Sequence, residues 1–521
     1  MRRSASPTAP PPSPDAQGLD AERCYQAMAD KDAAWDGLFF TGVTSTGIYC
    51  RPVCRVRLPK ASNCRFFETP AQAESHGFRP CLRCRPELAP ARRHWSTTDA
   101  QLQLAQSAAD LLQSAVRQGQ KPQRMSDLAA RLGVSDRHLR RVFERQWHVS
   151  PGQYLQTQRL LLAKQWLHDT HWPVAQVAQA SGFGSTRRMY AAFAQHYRLS
   201  PAQLRPAKVQ APLAPASPAM AHALTLPLTL HYRPPCQHMA LWQFFRERSL
   251  EGMECWQGEG PQAVLRRTVH WPHGPGHLQG WLQVHWDAEQ PCVHLEASAS
   301  LMPVLPEVVA QVRHWLDLDA DPAHIDQILG HDFPQALGQR LPGGLDGFEL
   351  AVRAILGQQI TVKAARTLGQ RLVNALGDPC ETPWPGLNRT FPTPATLAKP
   401  EHAALMGSLG VVRQRQKAIQ ALAQAVHSGA LDLRASAPLS STLDTLLSLP
   451  GIGPWTAHYV AMRALRWTDA WPVQDVALQT ALGVRQAQHP GRTLERLGQA
   501  WQPYRSYALI AAWQTLSPSP S

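Results

Sequence analysis

The chain has 521 residues, 44% of them hydrophobic, with 52 Lys+Arg against 38 Asp+Glu. That length admits roughly three or four domains, and no apolar run approaches the ~20 residues of a membrane span, which excludes both a minimal peptide scaffold and a helical membrane protein. The charge is unevenly placed: residues 1–208 hold 29 Lys+Arg and 15 Asp+Glu, while residues 209–521 hold 23 of each, and a basic front end points to a polyanion partner, most simply DNA.

Met1-Arg-Arg-Ser has no apolar core behind its arginines, so it is not read as a secretory signal, and a cytoplasmic, nucleoid-associated protein with no membrane partner is expected. Ten cysteines in that compartment are poor disulfide candidates. Residues 1–20, rich in Pro, Ser and Ala, read as a disordered leader.

Residues 21–91 carry Cys50-Arg-Pro-Val-Cys54 and Cys81-Leu-Arg-Cys84, a C-x3-C-x26-C-x2-C spacing. Two close pairs a few tens of residues apart can close a tetrahedral Zn²⁺ site, each pair giving two ligands from one turn. Zinc would replace much of the core that so short a domain lacks. Cys24 and Cys64 have no partner at ligand spacing and read as plain thiols. The flanking runs Gly37-Leu-Phe-Phe-Thr-Gly-Val-Thr-Ser-Thr-Gly-Ile-Tyr-Cys50 and Gly77-Phe-Arg-Pro-Cys-Leu-Arg-Cys-Arg-Pro86 resemble the N-terminal domain of the Ada-type methylated-DNA response proteins. In that family one zinc thiolate takes the methyl group of a DNA methylphosphotriester, and the matching position is Cys50. Four thiolates on Zn²⁺ leave a net charge of −2, and a methylated sulfur lowers it to −1. One unit less of repulsion ~6 Å from a phosphate is worth roughly 3 kcal/mol at an effective dielectric of about 20 before salt screening, enough for a binding switch. A purely structural zinc site remains the competing reading.

Residues 96–206 read as helical with two turn-centred repeats. The first has apolar Leu128, Leu132, Val134, Leu139, Val142 and Phe143 around Gly133, with Ser135 as N-cap; the second runs Val174 to Phe193. Arg137, Arg140 and Arg141 fall on one reading helix, Arg187 and Arg188 on the other. Ser150-Pro-Gly-Gln-Tyr154 and Ser200-Pro-Ala-Gln-Leu204 echo each other after the repeats. The pair resembles the AraC-type DNA-binding domain, which implies an operator sequence and RNA polymerase as partners. Residues 207–222 read as a Pro/Ala linker.

Residues 223–305 alternate in short apolar runs, Leu224–Leu230, Ala263–Val269, Leu278–His285 and Val293–Ala297, and read as strands of a small α/β domain without chemistry of its own. His270, His273 and His277 show no clean ligand spacing.

Residues 306–516 read as helical. Leu449-Pro-Gly-Ile-Gly453 is a tight turn between two apolar periodic segments, a helix–hairpin–helix in which Gly451 and Gly453 can take φ > 0 and admit a DNA backbone to the amides of the second helix. Sixteen residues after Tyr459 stands Asp475, at the start of a third apolar helix. Hairpin and acid, together with Gly347-Phe-Glu-Leu-Ala-Val-Arg-Ala-Ile-Leu-Gly-Gln-Gln359, Phe391-Pro-Thr-Pro394 and Tyr504-Arg-Ser-Tyr-Ala-Leu-Ile510, resemble the AlkA-type 3-methyladenine DNA glycosylase II over residues 223–516. The resemblance implies Asp475 as catalytic acid residue, Trp455, Tyr459 and Trp513 as walls of the base pocket, and a duplex wedge at Gln359 or its neighbour Ile360. An N-alkylated purine is already cationic and departs without an acid partner, and each electron-rich ring attracts it by ~0.5–2 kcal/mol. Trp455 stands where lyase members carry a Lys, so strand cleavage through a Schiff base is not expected. No Pro-Cys-His-Arg motif occurs, so an O6-alkylguanine transferase half is not expected either.

The expected fold class is multidomain and mainly α: a small four-cysteine zinc domain, an AraC-type tandem helix-turn-helix, a small α/β domain and a helix–hairpin–helix glycosylase domain. Three functional readings stay open. The first is a methyl-activated regulator fused to a glycosylase. The second is a regulator whose glycosylase half is only a DNA platform. The third is an enzyme whose front end only recruits it.

Overall fold

In the computed structural model the described residues are 19–90, 100–117, 124–169, 173–204, 225–273 and 276–516. The expected leader, apart from Leu19 and Asp20, and the expected linker at 207–222 lie outside them.

The cysteine-rich front end is a four-stranded sheet of β1 (Phe40–Val43), β2 (Ile48–Cys50), β3 (Cys64–Phe67) and β4 (Arg79–Pro80), in the order β3-β1-β2-β4. Its pairs are antiparallel except β2 with β4. The apolar clusters here are small: Phe40, Tyr49, Phe67, Ala73 and Phe78 form one, and Cys24, Ala27 and Phe39 another. Cores of that size rarely hold a domain unaided. Cys64 is half-buried and Cys24 buried, both unbridged.

The two helix-turn-helix repeats share one chemistry. Met125–Arg131 leads to the reading helix Asp136–Trp147, and Val174–Ala180 leads to the reading helix Thr186–Tyr197. Ser135 caps the first by accepting from His138 N, and Ser185 caps the second by accepting from Arg188 N. The echoed Ser-Pro-x-Gln motifs both fold into reciprocal turns: Ser150 N donates to Gln153 Oε1 and Ser200 N to Gln203 Oε1. The 19-residue helix Pro151–Asp169 joins the repeats. Its Lys164 reaches out of the repeats to Glu87 of the cysteine-rich region, at 2.6 Å and almost fully buried.

The next unit is a five-stranded antiparallel sheet of β5 (Thr225–His231), β6 (Glu254–Gln257), β7 (Val264–His273), β8 (Gly276–Trp286) and β9 (Cys292–Ser298), in the order β5-β9-β8-β7-β6. Strand β6 and the helix His238–Arg246 were not among the expected elements. One apolar core runs from the second helix-turn-helix repeat into this sheet. Arg233, just after β5, donates to the backbone oxygens of Asp36, Asp319 and Ala320.

The helical body wraps around Gly347–Leu356, a helix capped by Asp346 and buried along nearly its whole length. No Cβ fits at Gly347, where Leu433 O would lie 2.3 Å away, so this helix start is pressed onto the neighbouring chain. The hairpin helices are Leu439–Ser448 and Pro454–Ala464, and Asp475 opens the short helix Val476–Ala481.

Candidate functional site

Pro454 at the first position of the second hairpin helix fixes its start, and no side chain caps it. Its first amides are therefore open to an external acceptor. Gly451 has φ 78°, a left-handed turn that favours glycine. Gly453 differs from the expectation. Its φ is −91°, and a Cβ there would meet nothing within 4 Å. The fold itself does not require glycine at 453, and the open space beside it leaves room for a partner backbone to come close. Gly453→Ala is expected to keep wild-type thermal stability within ~0.5 kcal/mol. Its affinity for undamaged duplex, measured by fluorescence anisotropy, should fall about tenfold.

Asp475 is buried and is held by three N–H donors. Leu478 N donates to Oδ1 at 2.5 Å, Trp513 Nε1 to Oδ1 at 3.2 Å and Trp455 Nε1 to Oδ2 at 2.5 Å. The residue is thus both an N-cap and an anchored carboxylate. Trp455 stacks on Tyr459 with ring centroids 5.2 Å apart and 10° between planes, and Trp513 stands 6.3 Å from Tyr459. All four residues line one cavity of about 690 Å³. Side chains from three separate helices or helix starts thus converge on one wall.

The cavity also holds groups that sequence reasoning missed. Arg463 NH1 donates to Tyr459 Oη at 2.6 Å. Burial raises the Tyr459 phenol, but the guanidiniums of Arg463, Arg248 and Arg353 outweigh it and hold the group below its ordinary value. Arg463 lies one helical turn after Tyr459, so the spacing alone could have flagged it. Two guanidiniums lie against Phe244, Arg248 at 3.7 Å and Arg463 at 4.8 Å from its ring centroid. Behind them Arg267 and Arg353 each bridge Glu254 and Glu349.

The three residues around the expected wedge are placed differently. Gln359 is exposed with φ 55°, and it is not part of the cavity wall. Ile360 does line the cavity. Gln358 instead braces the hairpin. Its Nε2 donates to Gly451 O and Thr456 Oγ1, both at 2.9 Å, while Arg415 donates to its backbone oxygen. It ties the loop after the central helix to both sides of the hairpin. Gln358→Ala is expected to lower stability by about 1–2 kcal/mol in thermal unfolding and to weaken duplex binding.

At the front end the sulfurs of Cys50, Cys54, Cys81 and Cys84 all lie within 4.8 Å of one another. Four sulfurs at ~2.3 Å from one tetrahedral ion would be about 3.8 Å apart, so the set fits a closed four-thiolate metal site. Arg51 N donates to Cys84 Sγ and Arg83 N to Cys81 Sγ, both at 3.4 Å, contacts that suit thiolates. Arg51 turns its guanidinium inward to Asp36, in a fully buried pair. Cys50, Cys54 and Cys81 each keep 6% exposure, so burial does not single out one of them.

The candidate DNA-reading side chains are placed by their helices. Arg137, Arg140, Arg141, Arg187 and Arg188 are all exposed to solvent. Arg140 pairs with Asp136 one turn back at 2.9 Å, on the surface. The second hairpin helix supplies Trp455 and Tyr459 to the cavity wall, whereas neither the cysteine quartet nor the arginines of the two reading helices line it.

Four family models match the chain in order: the metal binding domain of Ada at residues 23–87, a helix-turn-helix domain at 128–207, the AlkA N-terminal domain at 227–346 and the HhH-GPD superfamily base excision DNA repair protein at 352–503. A protein of Mycobacterium tuberculosis named "Probable bifunctional transcriptional activator/DNA repair enzyme AlkA" is 36% identical over 95% of this chain and 97% of its own length. DNA-3-methyladenine glycosylase 2 of Escherichia coli is 32% identical over 55% of this chain and 96% of its own length. The bifunctional transcriptional activator/DNA repair enzyme AdaA of Bacillus subtilis is 28% identical over 37% of this chain and 86% of its own length. The chain belongs to the family of bifunctional transcriptional activator/DNA repair enzymes in which an Ada metal-binding domain and a helix-turn-helix precede an AlkA glycosylase.

Proposed function

We propose that the chain is a monofunctional DNA glycosylase that releases N-alkylated bases such as 3-methyladenine, joined to a methyl-accepting transcription activator. The observation that carries the first half is Asp475, a buried carboxylate anchored by two indole N–H groups on the wall of an aromatic cavity. In this reading the hairpin amides and Gly453 hold the duplex backbone, and Gln359 and Ile360 take the gap left when the target base turns out. The base enters between Tyr459 and Trp513. Their ring centroids lie 6.3 Å apart with the planes tilted by 39°, so the two rings must turn as well as part to sandwich it. As the bond from C1′ to the base nitrogen breaks, its electron pair stays with the base and neutralises it. Asp475 stabilises the cationic sugar, and water adds at C1′. Release of free 3-methyladenine from alkylated duplex by the purified protein tests this; no release overturns it.

The front end supports the second half. Cys50, Cys54, Cys81 and Cys84 would hold Zn²⁺, which supplies thiolates that persist at neutral pH. The Cys50 sulfur then attacks the methyl carbon of a methylphosphotriester; the carbon–oxygen bond breaks and the phosphate recovers its negative charge. The lowered charge at the quartet favours DNA, and Arg137, Arg140, Arg141, Arg187 and Arg188 read the operator. RNA polymerase is the partner at the promoter, on the cytoplasmic nucleoid. The units in this assignment are 21–91, 96–206, 223–305 and 306–516.

A further inference from the structure

Glu74 follows β3 on the short helix Pro70–Ser75 and is 5% exposed. Its carboxylate accepts from three hydroxyls: Tyr49 Oη at 3.1 Å, Thr157 Oγ1 at 2.8 Å and Tyr197 Oη at 3.2 Å. Only Tyr49 belongs to the cysteine-rich region. Thr157 lies on the helix joining the two helix-turn-helix repeats, and Tyr197 is the last residue of the second reading helix. All three are buried to within 3%.

Tyr49, like Arg51, is one of the points where the two cysteine-bearing segments meet. It precedes Cys50 on β2, and its carbonyl accepts from Cys81 N at 2.9 Å. A rearrangement of the quartet therefore moves Tyr49, and its phenol is tied to Glu74. At the other end, Tyr197 is rigidly connected through Thr186–Tyr197 to Arg187 and Arg188 in the first turn of that helix. A carboxyl group in such a place is costly to bury, and burial pushes its pKa up to about 8; apolar residues of similar volume would have packed the interface at least as stably. What three directed O–H bonds add is a fixed relative orientation. The first reading helix, Asp136–Trp147, has no member among these three partners.

We propose that Glu74 is the positioning residue that couples the methyl-acceptor strand to the second reading helix, holding Arg187 and Arg188 in the orientation set by the quartet. The proposal rests on the reading that methyl transfer to Cys50 raises operator affinity. The test uses the full-length, metal-loaded protein, with methyl uptake from methylphosphotriester DNA and operator footprints read before and after methylation. Glu74→Leu is expected to accept methyl at the wild-type rate, yet to lose about tenfold of the methylation-dependent gain in affinity. The lost protection should lie in the half-site of the second repeat alone. Glu74→Gln restores the gain, because an amide can trade donor and acceptor roles with the three hydroxyls. Tyr197→Phe leaves every contact around the cysteines in place, gives the same one-sided loss, and decides the matter should Glu74→Leu fail to fold. A full gain in Tyr197→Phe, or protection lost evenly across the operator, overturns the coupling. A wild-type protein that takes up methyl without gaining affinity overturns the switch itself.

Discussion

Asp475→Asn is expected to release 3-methyladenine about 1000-fold more slowly than the wild type, with duplex binding little changed. A unit charge about 4 Å from an oxocarbenium-like sugar is worth roughly 4 kcal/mol at an effective dielectric of about 20, which is about three decades in rate. The substitution removes that charge and keeps the shape. It also keeps the cap, since the amide oxygen can still accept from Leu478 N and Trp513 Nε1. The remaining amide then points an N–H group at Trp455 Nε1, which in the wild type donates to Oδ2 at 2.5 Å. Two donors facing each other cost about 1–3 kcal/mol, so a modest fall in stability and a change in tryptophan fluorescence accompany the lost rate. Trp455→Phe separates the two effects. It keeps a ring against Tyr459 and the charge on Asp475, so its loss of rate should be far smaller. A single-turnover assay with excess enzyme measures both variants. Equal rates for wild type and Asp475→Asn would remove Asp475 from the chemistry, and no release by the wild type would leave the chain as a regulator with a DNA-binding platform.

The elements legible in the sequence are those whose signal is local. The hairpin is announced by Pro and Gly between two periodic segments, the reading helices by Ser caps, and the quartet by its spacing. Asp475 is visible as a lone acid at a helix start. Contact across the chain is not legible in this way. Gln358 and Gln359 are neighbours of the same type, yet one braces the hairpin and the other stands exposed in a left-handed conformation. Only the turn after the central helix decides which is which. Phe244 and Arg248 enter the cavity from a helix and its end, hidden within a region of strand-like alternation. Glu74 reads like any surface acid on a short polar helix, because its three partners lie 25, 83 and 123 residues away. Gly453 shows the converse. Its motif is plain, but neither its own backbone conformation nor its neighbours in the fold require glycine.

Stripping the metal from the cysteine quartet with a chelator is expected to unfold the front end and leave base release intact. The sheet β1–β4 encloses two small apolar clusters, and the quartet forms a third centre next to them. A structural Zn²⁺ supplies about 10–16 kcal/mol of apparent binding energy at pH 7 in small domains, far more than those clusters can replace. Its loss also reaches the helix-turn-helix. Lys164 is 1% exposed at the side chain and pairs with Glu87, just beyond Cys84 in the chain. If that segment unravels, an unpaired ammonium is left in an apolar interface at a cost of several kcal/mol, so the helix Pro151–Asp169 must loosen or admit water. The helical body that carries Asp475 stands one unit further back: the front half meets the sheet β5–β9 through a shared apolar core and an Arg55–Gln290 bond. Arg233 loses its 3.4 Å bond to Asp36 O and keeps its bonds to the oxygens of Asp319 and Ala320. Hydrogen exchange should therefore rise sharply across residues 40–88, moderately across 151–197 and not at all across 347–514. Methyl uptake should vanish while 3-methyladenine release proceeds at the untreated rate. Unchanged protection across β1–β4 would exclude a structural metal at the quartet. A parallel collapse of base release would show that the two halves stand or fall as one folding unit, coupled through the shared apolar core.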